Sequence, residues 1–290
     1  MNEKSRDKIQ EIIEASGNNF HASVIKFLRE NEWFVLISPY YNDYATDKAR
    51  EIDILIRSLV VSHTMLITCL FKRLFVDCHV ALLMTSLVIA EKAFEVKDRL
   101  GKIEGWLNVR FIIECKYINT ETVFWFDAKD KKKAEERVIR DIPLRKDITY
   151  TQKHHYMDDQ RVAKLFTSER SKDLSNEPIY KAINQSLNAM VYFRHEPPIQ
   201  RQDRQILRTI CYPIIILNDF NKIFGVNISE SNYSAITDKF FQLEINYAYL
   251  DTNKHNMNEY FLIDVVDFSH LDDFLNEIQT KDIEVIKAML

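Results

Sequence analysis

Glu114 and Lys116 stand two residues apart in FIIECKY, inside a run (LNVRFIIECKYI, 107–118) that is otherwise apolar and rich in β-formers. On a strand, side chains two apart leave the same face. The carboxylate and the amine would therefore share one side, with Cys115 pointing to the apolar other. Buried strands seldom carry such charges without a reason. Upstream, EIDILI (51–56) alternates, with Glu51 and Asp53 on one face and Ile52, Ile54 and Ile56 on the opposite one. If the two strands are neighbours, Asp53, Glu114 and Lys116 converge. Carboxylate and carbonyl oxygens suit a hard divalent cation, Mg²⁺ with Mn²⁺ as a substitute. Such an ion can polarise a phosphate and generate hydroxide from water. On this reading Asp53 and Glu114 hold the ion and the backbone carbonyl of Cys115 is available as a third oxygen. Lys116 orients or deprotonates the attacking water, and Glu51 is a supporting acid. An acid two residues before a lysine recurs at Glu95, Asp127 and Asp130, but in stretches that read as helical or highly charged.

The elements that must position these groups follow from periodicity. Phe20, Val24, Phe27 and Leu28 have helical spacing after the breaker Gly17-Asn18-Asn19. WFVLI (33–37) then reads as a strand. Residues 57–100, rich in Leu, Val and Met and free of Pro and Gly, read as two packed helices, a helical insertion at 58–105 between the second and third core strands. Helical spacing returns at Ile179–Phe193 and strands at 212–217 and 222–228. Two further β-like runs, FFQLEINYAYL and EYFLIDVV, precede a terminal helix. The expected fold is one mixed α/β domain over 1–290, its early strands pairing as a meander before a helix crosses over.

A formal net charge of -4 and a pI near 6.1 exclude a global basic field, so nucleic-acid contact must be local. The four cysteines lack C-x-x-C spacing, which fits reduced thiols and a cytoplasmic chain. Charges throughout the first residues argue against a secretory signal. Leu74–Ala90 approaches a membrane-spanning length but carries Asp77 and His79, so it reads as a buried helix, with no membrane partner. The loop carrying Tyr40, Tyr41, Tyr44, Lys48 and Arg50 has residue types that stack bases and touch phosphate, or equally that pack the loop down. Tyr117, Phe124, Trp125 and Phe126 read as core, and DAKDKKK (127–133) as a solvated charge run. His154-His155, with Asp158 and Asp159 close by, imitates metal-ligand spacing. Adjacent histidines on a helix diverge, so the pair reads as solvent-exposed and no zinc site is expected.

The succession HASVIKFLRENEWFVLISPYYND, REIDILI and FIIECKY resembles the PD-(D/E)XK, or restriction-endonuclease-like, nucleases. Their pattern is a helix, a strand, a loop, an acid-bearing strand and an E-x-K strand. The resemblance continues through INQSLNAMVYF and YPIIILND and spans about Phe20 to Val226. It implies a mixed central sheet flanked by helices and a Mg²⁺-dependent hydrolase cleaving phosphodiester bonds, DNA being the expected substrate and restriction or another defence role the context. It also implies a glutamine, Gln185, facing the site. Many such proteins carry a glutamate after the phenylalanine of the opening helix; here His21 follows Phe20. That departure leaves His21 as a supporting residue and raises an alternative, a weakened nuclease fold that binds nucleic acid or protein. The insertion could also mediate a homodimer.

Overall fold

The structure is a computed structural model and describes residues 17–37, 41–43, 48–50, 87–97, 100–141, 151–169, 177–194, 196–197, 205–230 and 232–290. Helix α1 (Gly17–Glu30) buries Val24, Ile25 and Leu28, the three-and-four spacing read from its sequence. It ends where Glu32 adopts a left-handed backbone (φ 64), which lets Trp33 N–H reach back to the Leu28 carbonyl at 3.0 Å. Strand β1 (Phe34–Ile37) follows at once. Trp33 stacks on Phe111 with ring centroids 4.5 Å apart, tying this opening unit to the sheet centre. A small hairpin, β2 (Tyr41–Asp43) and β3 (Lys48–Arg50), forms a separate two-stranded sheet.

The other strands are β4 (Leu87–Lys97), β5 (Ile103–Lys116), β6 (Thr122–Asp127), β7 (Val162–Ser168), β8 (Ile206–Leu217), β9 (Ile223–Asn227), β10 (Tyr233–Ala235), β11 (Phe240–Leu250) and β12 (Asn256–Asp267). With β1 they make one ten-stranded mixed sheet in the order β1-β4-β5-β8-β12-β11-β7-β6-β9-β10. β1, β4 and β5 pair antiparallel as a meander, and β8 lies parallel to β5. Among the described residues four helical stretches flank the sheet. Besides α1 these are α2 (Lys131–Asp141), α3 (Pro178–Phe193) and a terminal stretch. The last comprises α4 (Leu271–Glu277), a π-helical segment (Ile278–Ile283) and α5 (Glu284–Met289).

Because both faces of the central strands are covered, two cores form. Leu107, Val109, Phe111, Ile113 and Cys115 of β5 pack with α1, α2 and the terminal helices. Ile112 packs on the other side with Ile179, Ile183, Leu187 and Met190 of α3. Each such side chain contributes about 1.5–3 kcal/mol on burial. Helix α3 starts at Pro178, with the Glu177 carboxylate accepting from Tyr180 N–H as its cap.

Several expectations change here. Leu87–Lys97, placed in the helical insertion, is a strand, and β5 begins at Ile103, inside the range assigned to that insertion. Glu95 and Lys97 thus form a second strand-borne E-x-K pair, 3.1 Å apart but more than a third exposed. Both edges of β5 are occupied, Glu114 lying opposite Leu87 of β4 and Ile215 of β8. EIDILI (51–56), expected beside Glu114, lies outside the described residues. Tyr117 is 52% exposed, not core, whereas Phe124 is fully buried. Within the charged run Lys129 is buried, its amine donating to the carbonyls of Tyr156 (2.8 Å) and Asp158 (2.9 Å). No described helix is long and apolar enough to cross a membrane.

Candidate functional site

Glu114 and Lys116 occupy the C-terminal end of β5 on the face covered by α3. Lys116 Nζ lies 2.9 Å from Glu114 Oε2 and donates to Gln185 Oε1 of α3 at 3.3 Å. Glu114 is fully buried, and the Lys116 side chain is only 16% exposed. Register brings the first two together: both occupy even positions of a strand whose odd positions fill the opposite core. Gln185 arrives because Ile183 and Leu187 on either side of it anchor α3 to the sheet. His21, in the first turns of α1, joins from another element. Burial lowers its pKa, and the nearby Lys116 charge lowers it further, so the ring is neutral near pH 7.

Cys115 faces the opposite core and is buried. Burial first, then the neighbouring Glu114 carboxylate, pushes its thiol up, so it stays protonated and offers no thiolate to a metal. Lys116 meets two oxygen donors, the Glu114 carboxylate and the Gln185 amide, of a type that suits a hard cation. Asp53, Glu51 and Tyr40 lie outside the described residues. Tyr41, Lys48 and Arg50 belong to the β2–β3 hairpin, where Tyr41 pairs with Arg50. The β2 strand packs beside α3, the helix that carries Gln185.

A second cluster lies on the other face of the sheet. His154 and His155, read from sequence as exposed, are each 2% exposed. They do not diverge as on a helix. His154 has an extended backbone and caps the short 3₁₀ turn that begins at His155, so the rings stack 4.9 Å apart. His155 Nδ1 sits 2.6 Å from Asp282 Oδ2, and its Nε2 3.3 Å from both oxygens of Asp264. Tyr212 donates to Asp282 at 3.0 Å, and His155 N–H does so at 2.9 Å. Burial alone would lower the His155 pKa, but the two carboxylates outweigh it and raise it to about 10. The ring is an imidazolium bridging β12 and the π-helical segment.

His154 behaves oppositely, burial pushing it down to about 3. Its Nδ1 accepts from Tyr156 N–H at 3.1 Å, which puts the proton of the neutral ring on Nε2. That nitrogen lies 3.2 Å from Asp282 Oδ2 without hydrogen-bond alignment. His154, His155 and Asp282 each offer one ligand atom, all within 4.8 Å of one another, and could hold a metal ion. The nitrogen-rich set suits a transition ion and not Mg²⁺. Such an ion would have to displace the protons now on His155 Nδ1 and His154 Nε2.

A weak signal for this cluster exists in the sequence. Asp282 interrupts the apolar stripe Leu271, Phe274, Ile278, Ile286 of the terminal helices, and Asp264 interrupts EYFLIDVV. Their pairing with a turn more than a hundred residues upstream is not encoded locally.

Comparison with known proteins finds no matching family model, no matching curated protein and no matching solved structure. The functional reading therefore rests on the chain's own residues.

Proposed function

We propose that the chain is a metal-dependent nuclease that hydrolyses phosphodiester bonds, DNA being the expected substrate, with Glu114 and Lys116 at its centre. One observation carries this reading: a fully buried carboxylate and an almost buried lysine share one strand end with an amide oxygen from a facing helix. Burying an ion pair of this kind contributes little net stability and often costs some. A chemical role explains its presence better than a structural one. The order α1, antiparallel β1-β4-β5, then α3 and a parallel β8 also agrees with the restriction-endonuclease-like arrangement that the motifs resemble.

Glu114 and the Cys115 carbonyl would hold Mg²⁺ or Mn²⁺, with Asp53 as the second carboxylate. When bound, that ion would polarise the scissile phosphate and make its water more acidic. The chain's own groups do the rest. Lys116 orients the attacking water or accepts its proton, and Gln185 fixes the lysine amine through its amide oxygen. His21, neutral, is free of the charge that would repel Lys116. The backbone of β2 runs beside α3, and Tyr41, Lys48 and Arg50 of that hairpin would contact a strand of nucleic acid.

Purified protein incubated with plasmid DNA and Mg²⁺ or Mn²⁺ should nick or degrade it, and EDTA should stop the reaction. Binding without any cleavage across divalent ions would instead favour a nucleic-acid-binding module, a reading favoured by the histidine at position 21.

A further inference from the structure

At the end of the sheet opposite Lys116, the ends of α2 and α3 and the N-terminal parts of β8 and β12 enclose a cleft of about 1100 Å³. Four arginines from three elements line it: Arg137 and Arg140 of α2, Arg194 capping α3, and Arg208 of β8. Arg208 pairs in register with Leu107 and Leu217 with Lys116. At about 3.3 Å per residue, roughly 30 Å of strand separates this cleft from the Glu114–Lys116 centre.

Three carboxylates share the walls, and they are engaged unequally. Asp251 closes its own turn, accepting from the N–H groups of Asn253 (2.8 Å) and His255 (2.9 Å). Glu196 is exposed. Glu259 alone is buried, and it serves two guanidinium groups, Arg194 at 2.9 Å and Arg140, together with the Tyr249 hydroxyl at 2.7 Å. Those neighbours hold its pKa down in spite of burial. Among the described lining residues four guanidinium groups stand against three carboxylates, and Arg137, 2% exposed, sits where water screens charge poorly. Arg140 is half exposed, and Arg208 donates to the Arg140 carbonyl at 2.6 Å, which sets the two side by side at the mouth.

Guanidinium forks match phosphate oxygens better than any other side chain. Met190, Val191, Met257 and Tyr249 supply an apolar and aromatic wall within the same recess. The volume is at the upper end of the range for small-ligand sites, about 300–1,000 Å³. We propose that this cleft binds a nucleoside phosphate, its phosphate on Arg140 and Arg208 and its flat organic part against Met257, which is 40% exposed. The ligand is either a free nucleotide or the terminal nucleotide of a strand. The assignment does not rest on the nuclease reading, because the two sites lie at opposite ends of the sheet.

The test is calorimetry on the full chain in EDTA, which keeps divalent ions out of the Glu114 centre. The probes are ATP, adenosine, and a single-stranded 12-mer with and without a 5′-phosphate. One saturable site is expected for ATP or for the 5′-phosphorylated 12-mer, with adenosine and the 5′-hydroxyl strand weaker by about tenfold or more, the value of a lost charge-assisted contact. Tighter binding of ATP identifies a free nucleotide, and tighter binding of the phosphorylated strand identifies a strand end. Arg140→Ala/Arg208→Ala should weaken the preferred probe by about tenfold or more, and Lys26→Ala, on the exposed face of α1, should leave it unchanged. Arg208→Lys keeps the charge and loses the fork; it should bind more weakly at an unchanged melting temperature, which guards against a double variant that fails to fold. No saturable binding of either phosphate probe, or equal affinity in the arginine variants, overturns the proposal.

Discussion

His155 Nδ1 lies 2.6 Å from Asp282 Oδ2 while its Nε2 faces Asp264 at 3.3 Å, so one buried imidazolium ties the terminal helical stretch to the sheet centre. Removing it leaves two carboxylates buried without their shared cation. His155→Ala should cost about 3–5 kcal/mol of unfolding free energy, the usual result of breaking a buried pair from one side. Urea denaturation measures it. A loss below about 1 kcal/mol, the range of exposed ion pairs, would remove the bridging role.

The same cluster sets a pH profile for stability. His155, raised from 6.5 to about 10, contributes fully below pH 6.5 and loses its contribution as pH climbs through 10. His154, lowered from 6.5 to about 3, works from the other side. The unfolded chain takes a proton that the folded one refuses, so stability falls as pH drops from 6.5 toward 3. Asp282, held below 3.8 by the two histidines against its burial, adds to that acid loss, whereas Asp264, raised by burial, opposes it. Stability should therefore peak near pH 6.5, and His155→Gln should flatten the alkaline limb. A His155→Gln protein that keeps the wild-type decline above pH 7 would contradict this assignment.

Much of the frame is legible in the sequence, because α1, β1, β5, α3, β8, β11 and β12 each carry a period or an apolar run with a clear stop. Leu87–Lys97 is not. It is packed on both faces over Val88–Glu91, so period-two alternation disappears, and its Ala, Glu and Lys residues favour a helix locally. Only pairing with β5 reveals it as a strand. The E-x-K pair was readable from charge within an apolar run. The burial of His154-His155 was not, since it depends on an extended cap residue and on aspartates distant in sequence.

Arg110 and Glu91 form a fully buried ion pair facing α3, and Arg110 also donates to the carbonyls of Phe193 and, at 3.0 Å, Pro197. It thus closes the C-terminal end of α3. Arg110→Leu should destabilise by about 3–5 kcal/mol, and adding Glu91→Leu should recover part of that loss by removing the stranded carboxylate. The α3 carbonyls remain uncapped, so recovery stays incomplete. Chemical denaturation of the three variants tests the coupling; purely additive losses would show that the two residues act independently.

Gln185 touches Lys116 at 3.3 Å from an α3 position that is only half-buried. If its task is to hold the amine, Gln185→Ala should lower cleavage by roughly 10- to 100-fold, the equivalent of a lost hydrogen bond to a charged group at about 1.5–3 kcal/mol. Its melting temperature should move little. A variant with full activity would exclude the positioning role.

The most direct measurement is single-turnover cleavage of a labelled DNA duplex in Mg²⁺ by wild-type, Glu114→Ala and Lys116→Ala proteins, with folding checked by circular dichroism. Metal-dependent cleavage by the wild type, abolished in both folded variants, is the predicted result. Cleavage by folded Lys116→Ala at the wild-type rate would contradict the proposed mechanism.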